Sequence, residues 1–452
     1  MPTLPRSMAA LVAIPALVAC EGAAAPEAAE PTREAAPADT STALVSADWL
    51  GTLPDGVEKW WLVLQCTGCH AIDDTILMVD GSPRSRESWA ESIRRMMAFS
   101  GADTDFPILS RSLDPEAMAD FLVEHAPTAA PAARPIPMST RWEVREYPLP
   151  VDDVPHDVAI DSAGRVIVTG MASHRMYVLD PDSGAFREVP IPVENANPRA
   201  VEIGPGGEWW VVLGYPEKLA RYEPDTGEWS TWDLGAYPHE IALDAEGRVW
   251  FNGHFTRDPE ILGYFDPASE EIRTFEVPFG PLPDGGSTIP YGLRVDGAGK
   301  VWMTQLFGNR LVELDPETGE LAEHVLPTAD AGPRRHDVGP DGQIWIPEYA
   351  GGAVAAFDPA TGAFDEFPFP LPDALPYVAR VDPRSSAVWM GTGAAGVVGR
   401  LDPASREFEL IPLPSRAPLV RHLAVDPRTG DVWGAASAFP PRGPLVFRIT
   451  PR

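Results

Sequence analysis

Positive charge is scarce in this 452-residue chain. Against 66 Asp+Glu there are 35 Lys+Arg, and Lys59, Lys218 and Lys300 are its lysines. The formal net charge is −31, which excludes a general nucleic-acid binder, because such a protein meets phosphates with a basic face. Cysteine is as sparse, with Cys20, Cys66 and Cys69 making up the complement. Long apolar runs are missing: no segment holds 18 consecutive apolar residues, so no helix is expected to cross a bilayer. What abounds is turn chemistry. The 51 Pro and 39 Gly argue against long helices. The hydrophobic share of 44% and aromatic share of 9% are enough for a packed core and exclude global disorder.

The N-terminus reads MPTLPRSMAALVAIPALVAC. One positive charge at Arg6 precedes the apolar stretch from Ala9 to Ala19, broken at Pro15. That stretch is too short to span a membrane and matches the core of a signal peptide. The run Leu17-Val18-Ala19-Cys20 resembles a bacterial lipobox. The resemblance implies a signal peptide over residues 1–20 and acylated Cys20 as the first mature residue. Glu21 after it then favours the outer membrane, with the protein at the periplasmic face. An ordinary signal peptide ending near a cysteine is the alternative. Residues 21–45 are rich in Ala, Pro, Glu and Thr without periodicity and read as a flexible tether.

Cys66-Thr67-Gly68-Cys69-His70 has the spacing of covalent haem attachment. Two thiols three apart on a helical turn reach the two vinyl groups of one haem, and the following His70 falls under the iron. A structural disulfide or half a zinc site is the competing reading. With Cys20 carrying lipid and Cys66 and Cys69 carrying haem, no cysteine is left for a disulfide. Helices are expected around the motif: Val57 to Gln65 leading into it, Ser85 to Ser100 with Trp89, Ile93, Met96 and Met97 on helical spacing, and a third from Asp114-Pro115-Glu116 to His125. Asp114 is a cap, Pro115 suits the first turn and Glu116 faces the positive end of the helix dipole. Three helices around CxxCH resemble a class I cytochrome c, here over residues 46–125. CTGCH followed by W-x-x-x-I-x-x-M and Gly101-Ala102 is similar to cytochrome segments attached to periplasmic dehydrogenases. By that resemblance Met96 is the distal iron ligand. Met97, Met78, Met118 or an open sixth position are the alternatives.

A Pro/Ala-rich linker over residues 126–139 leads into a repeat. Seven openings, Pro155, Pro198, Pro238, Pro290, Pro333, Pro376 and Pro418, precede copies of a recurring frame whose pattern is D-x-x-G-x-[V/I]-W. Its tryptophans are Trp210, Trp250, Trp302, Trp345, Trp389 and Trp433, with Ile167 in the first copy. A second turn of D-P-x-[T/S]-G type follows. A period of about 45 residues with several short strands per copy is a β-propeller blade. The last copy lacks its final strand, and that strand stands before the first copy as Trp142 to Pro150. The expected fold is therefore mainly β: a seven-bladed propeller over residues 140–452, its N-terminal strand closing the last blade, preceded by a small all-α cytochrome c domain.

The repeat resembles the streptogramin-lyase (virginiamycin B lyase) propeller family. In a propeller, innermost strands border the central channel, and the residues after the opening prolines are His156, Arg199, His239, Tyr291, Arg334 and Tyr377, with Arg421 and His422 in the seventh blade. Together with His336 and Glu348 they form the candidate pocket. Its arginines, aided by Arg335, make the mouth basic within an acidic protein, which suits an anionic or carbonyl-bearing ligand. A channel filled with polar side chains and water, without a ligand, is the competing reading. The family uses a histidine base and a magnesium held by two glutamates. Glu348 matches the later glutamate, but Arg334 stands at the histidine position and Gly332 at the earlier glutamate, so the resemblance carries the magnesium site only in part.

The expected function is an exported haem c electron-transfer protein. Its propeller binds a small substrate and exchanges electrons with one covalent haem, and a redox partner protein completes the circuit. Whether the propeller is catalytic, as a periplasmic oxidoreductase, stays open. The alternatives are a C–O lyase with an accessory cytochrome, and a non-catalytic propeller that docks the cytochrome to another oxidoreductase. The membrane is engaged through the lipid anchor and no nucleic acid is expected.

Overall fold

The computed structural model describes residues 40–42, 49–68, 72, 74–99, 113–127, 135–254, 259–277, 287–415, 419–438 and 442–452. The signal peptide with Cys20, most of the tether, Cys69, His70, Gly101 and Ala102 lie outside them. Among the described residues are seven four-stranded antiparallel sheets. The innermost strands are Pro155–Ile160, Pro198–Ile203, Pro238–Leu243, Pro290–Val295, Asp337–Val338, Pro376–Val381 and Val420–Val425. Each contacts the next around a ring, and the seventh contacts the first. This is a closed seven-bladed propeller.

The repeat frame explains the blade. In the third blade the Asp244 carboxylate accepts from the Arg248 amide at 2.8 Å and from the Trp250 indole at 2.7 Å. One acid thus closes the hairpin between the first two strands and pins the tryptophan over it. Gly247 between them sits at φ 82°, a left-handed conformation that glycine adopts without penalty. Asp296 repeats the arrangement on Lys300 and Trp302. The second turn works alike: Asp315 accepts from the amides of Glu317 and Thr318 at 2.9 and 3.2 Å, an Asx-turn.

Closure follows the sequence expectation. Trp142–Pro148 pairs with Arg442–Pro451 from Pro148↔Leu445 to Trp142↔Pro451. The N-terminal strand is the outermost strand of the seventh blade, so that blade's third strand has no bare edge.

Before the propeller lie short helices. Val57–Trp61 widens into a π-helical turn over Leu62–Cys66. Asp74–Leu77, Arg86–Phe99 and Pro115–His125 follow. The last starts as its sequence dictates: Asp114 accepts from the amides of Glu116 and Ala117, with Pro115 in the first turn. Arg86 ties its helix to the next through Glu116 at 2.6 Å and through Asp120. Trp49, Leu62, Leu64, Trp89, Ile93, Met118 and Leu122 are buried in one apolar cluster that continues into Tyr291, Tyr349 and Tyr377 of the propeller. Among the described residues no helix is long and apolar enough to cross a membrane.

Candidate functional site: the propeller mouth

Every innermost strand carries an irregularity at the residues after its opening proline. Pro155 pairs with Gly170 but Val158 with Val168, so the inner strand holds one extra residue. The same slip recurs in the second, third, fourth, sixth and seventh blades. In the fifth, Pro333 bridges Glu348 while Asp337 pairs with Trp345. Such a bulge frees amides and re-aims side chains. In the first, third and fourth blades the amide is claimed by a polar residue of the second strand, which also staples the next blade. Thr169 accepts from Asp157 N–H at 2.8 Å and donates to the Arg199 carbonyl at 2.9 Å. Asn252 does so between Glu240 and Tyr291, and Thr304 between Gly292 and Arg334.

The bulges bring most of the candidate ring together at one end of the channel. Tyr291 is the hub. Its ring lies 4.6 Å from His239 and 5.1 Å from His254, and its hydroxyl is hydrogen-bonded to the Tyr377 hydroxyl and accepts from Arg334 Nη1 at 2.7 Å. His239 lies 5.4 Å from His156. Arg334 is caged by aromatic faces, 4.9 Å from Tyr291, 4.0 Å from Tyr349 and 4.6 Å from Tyr377, at cation–π distance. Arg199 donates to Asn197 at 3.0 Å and to the Tyr237 hydroxyl. No carboxylate pairs with Arg334 or Arg199 among the described residues. Burial, reinforced by the neighbouring charges, holds His156, His239 and His254 well below the usual histidine range, so they are neutral imidazoles. His156 Nδ1 lies 2.7 Å from Asp157 Oδ1 and 3.3 Å from Arg335 Nη2, and His254 Nδ1–H donates to the Pro290 carbonyl at 2.7 Å.

Deeper in the channel the bulges aim a second set of side chains. Arg335 bridges Asp157 at 2.7 Å and Glu240 at 3.2 Å. Arg294 joins Glu240 at 3.3 Å and Asp337 at 3.1 Å. Arg380 donates to His422 Nε2 at 2.6 Å. Asp157, Glu240 and His422 approach as closely as metal ligands, but Arg335 and Arg294 already pair with both carboxylates. This buried network plugs the channel below the mouth.

The chain ahead of the propeller is seated on the mouth. Thr67 is completely buried. Its hydroxyl is 2.8 Å from the Tyr349 hydroxyl, which also donates to the Thr67 carbonyl at 3.1 Å. Arg421 Nη1 donates to the Gly68 carbonyl at 3.4 Å. A Cβ on Gly68 would stand 3.2 Å from Arg334 Nη2, tighter than ordinary contact, so the absence of a side chain lets the segment settle there. Trp60 donates to the Asp330 carbonyl at 3.3 Å and packs on Phe307 at 5.9 Å. Half-buried Cys66 packs on the apolar cluster shared by helices and blades.

Two candidates stand apart from the mouth group. Glu348, expected to face the arginines, is fully buried and neither carboxylate oxygen has a hydrogen-bond partner. Burial first, and the Glu366 carboxylate second, push its pKa up to about 9; no arginine offsets them. His336 packs against Gly292, whose absent Cβ would fall 2.8 Å from Nδ1. His422 and Arg335 belong to the plug. Met96, Met97 and Met78 are half-buried, and Met118 is in the core at 3% exposure. Tyr349, Asp157 and Glu240 were not among the candidates. The acids follow directly on a candidate, and the Thr or Asn near the end of the second strand in the first, third and fourth blades is the signal that marks those bulges.

A family profile described as the virginiamycin B lyase family matches residues 262–437. A streptogramin B lyase structure aligns with TM-score 0.61 at 20% identity, covering 69% of this chain and 98% of that one. A catalytically inactive histidine-to-alanine virginiamycin B lyase from Staphylococcus aureus with quinupristin aligns with TM-score 0.59 at 21% identity, covering 68% and 99%. Kuenenia stuttgartiensis hydrazine synthase aligns with TM-score 0.53 at 15% identity, covering 64% and 94%. No curated protein matches. At these identities the structural likeness establishes the fold. The chain is thus a seven-bladed propeller that carries the pattern of the virginiamycin B lyase family over residues 262–437.

Proposed function

We propose that the chain is an exported, lipid-anchored haem c electron-transfer protein whose propeller mouth holds a small anionic or carbonyl-bearing molecule next to the haem. The observation that carries this reading is the seating of Thr67 and Gly68, inside the CxxCH motif, on Tyr349, Arg334 and Arg421. The residues present suit the group. Cys66 ends a widened helical turn against an apolar surface, the environment that shields a haem edge from water. Cys66 and Cys69 would hold the haem covalently, and His70 and Met96 would be the protein ligands of its iron. When bound, the group supplies a one-electron couple.

The chain's own residues do the rest. Arg334 and Arg199, buried without a carboxylate, favour an anion, because an uncompensated buried charge is costly. The neutral imidazoles of His156 and His239 would each offer one acceptor nitrogen to a ligand hydroxyl. Tyr349 fixes the haem-bearing segment over the opening and excludes water.

Two measurements test the reading. After denaturation in acid acetone the protein should keep its Soret band; haem that extracts freely would refute covalent attachment. A weak band near about 695 nm in the oxidised protein, the mark of Met–His ligation, should vanish in Met96→Ala. Its loss only in Met97→Ala or Met118→Ala would move the ligand there. Substrate-dependent growth of the reduced α-band then supports electron exchange with the mouth.

The family match over residues 262–437 favours a second reading, a C–O lyase with an accessory cytochrome. Arg334 in place of the histidine and Glu348 turned toward Glu366 weigh against a magnesium-assisted lyase. Product formation without any change in the haem spectrum would support that reading instead.

A further inference from the structure

Arg334 poses an electrostatic problem that the mouth must solve. Its guanidinium is 3% exposed and its Nε has no hydrogen-bond partner. Tyr291, Tyr349 and Tyr377 surround it, and a cage of neutral phenols does not cancel a full charge. The hydroxyls of Tyr291 and Tyr377 are hydrogen-bonded to each other, so one of them has a donor ready to stabilise a negative oxygen.

We propose that the Tyr291–Tyr377 pair gives up one proton in the folded protein, so that a tyrosinate on Tyr377 is the counter-ion of Arg334 and the proton-accepting group of the mouth. The Tyr291 hydroxyl donates to that oxygen, and Arg334 donates to Tyr291 and stacks on both rings. The charged and titratable groups around Tyr377 agree. Arg334 and Arg335 come from the fifth blade's inner strand, Arg421 from the seventh, Tyr291 from the fourth, and Tyr349 stands 5.8 Å away at the fifth blade's second strand. Burial pushes the Tyr377 phenol up, but the three arginines and the Tyr291 hydroxyl outweigh it and bring it below the ordinary tyrosine value. Tyr291, as the donor of the pair, is raised.

The proposal rests on the mouth being a ligand chamber and names what that chamber takes: a neutral weak acid, either a hydroxyl compound of phenol type or a carbonyl compound with an acidic α C–H. The ligand's O–H or C–H bond breaks, its proton bonds to the Tyr377 oxygen, and the electron pair stays on the ligand as an oxyanion or enolate. Arg334, released from the phenolate, then faces the new anion. No oxidant is needed for this step.

The test is carbon-13 NMR of the full chain labelled at tyrosine Cζ, in the reduced, diamagnetic state. One of the nine tyrosine signals should already stand at the phenolate position at neutral pH, well below the ordinary tyrosine value of about 10. It should vanish in Tyr377→Phe and persist in Tyr349→Phe. Arg334→Gln should move its midpoint upward, and this decides the matter if Tyr377→Phe does not fold. Nine signals that are all phenolic at neutral pH, or a phenolate signal that survives Tyr377→Phe, would overturn the proposal. A tyrosinate found with no ligand-dependent stabilisation supports this assignment and counts against the chamber reading alone.

Discussion

Arg334 and Glu348 stand near each other in sequence and are buried in opposite electrostatic company. Arg334 has aromatic faces and no acid; Glu348 has an acid, Glu366, and no base. Arg334→Ala should therefore abolish thermal stabilisation by a ligand that becomes anionic in the mouth while the haem spectrum and the blades remain intact; undiminished stabilisation would remove Arg334 from the site. Glu348 makes a separate prediction about pH. Its folded pKa of about 9 lies above the unfolded value of 4.5, so the folded protein keeps a proton that the unfolded chain releases. The stabilising contribution is full below 4.5 and is lost as pH rises toward about 9. Glu348→Gln replaces the buried acid with a neutral amide and should flatten the fall in stability across that window, measured by urea unfolding at several pH values. An unchanged slope would mean the carboxyl is solvated.

Among the elements, those fixed by short-range chemistry were legible in the sequence. The Asp244-to-Trp250 turn and the Asp114 cap depend on residues within one hairpin or helix turn, and the strand that closes the seventh blade was legible from the repeat count; the structure has all three where the pattern sets them. The bulges were not legible, because a one-residue slip leaves the hydrophobic alternation of the flanking strand intact. That slip turns Asp157 and Glu240 into the channel directly after His156 and His239. The aim of Glu348 was hidden for the same reason, since the face a strand residue takes is decided by register. The closing strand carries its own prediction. Removing residues up to Pro148 should expose the Arg442–Pro451 edge and cause aggregation on mild heating, followed by light scattering. Unaltered solubility and melting would show that the strand is dispensable.

At the scale of the whole molecule, an acidic chain gathers buried arginines in its channel. Arg334, Arg335 and Arg380 are all buried on the axis of a chain with net charge −31. The seat of the CxxCH segment could not be read from sequence, because Thr67 and Tyr349 are 282 residues apart and neither belongs to the other's repeat. Tyr349→Phe removes the hydroxyl that joins them and should loosen the segment by about 1–2 kcal/mol. Faster amide exchange over residues 57–68, with the blades unaffected, is the expected sign; unchanged exchange would mean that Trp60 and Leu64 suffice. The central claim is that a covalent haem stands over the propeller mouth. Its most direct test is the change in tyrosine Cζ shifts between oxidised and reduced protein, since the shift induced by a paramagnetic iron falls steeply with distance. The account predicts large redox-linked shifts for Tyr349, Tyr377 and Tyr291 and small ones for Tyr147 and Tyr264, which sit on outer parts of the blades. Mouth tyrosines that shift no more than Tyr147 would contradict it.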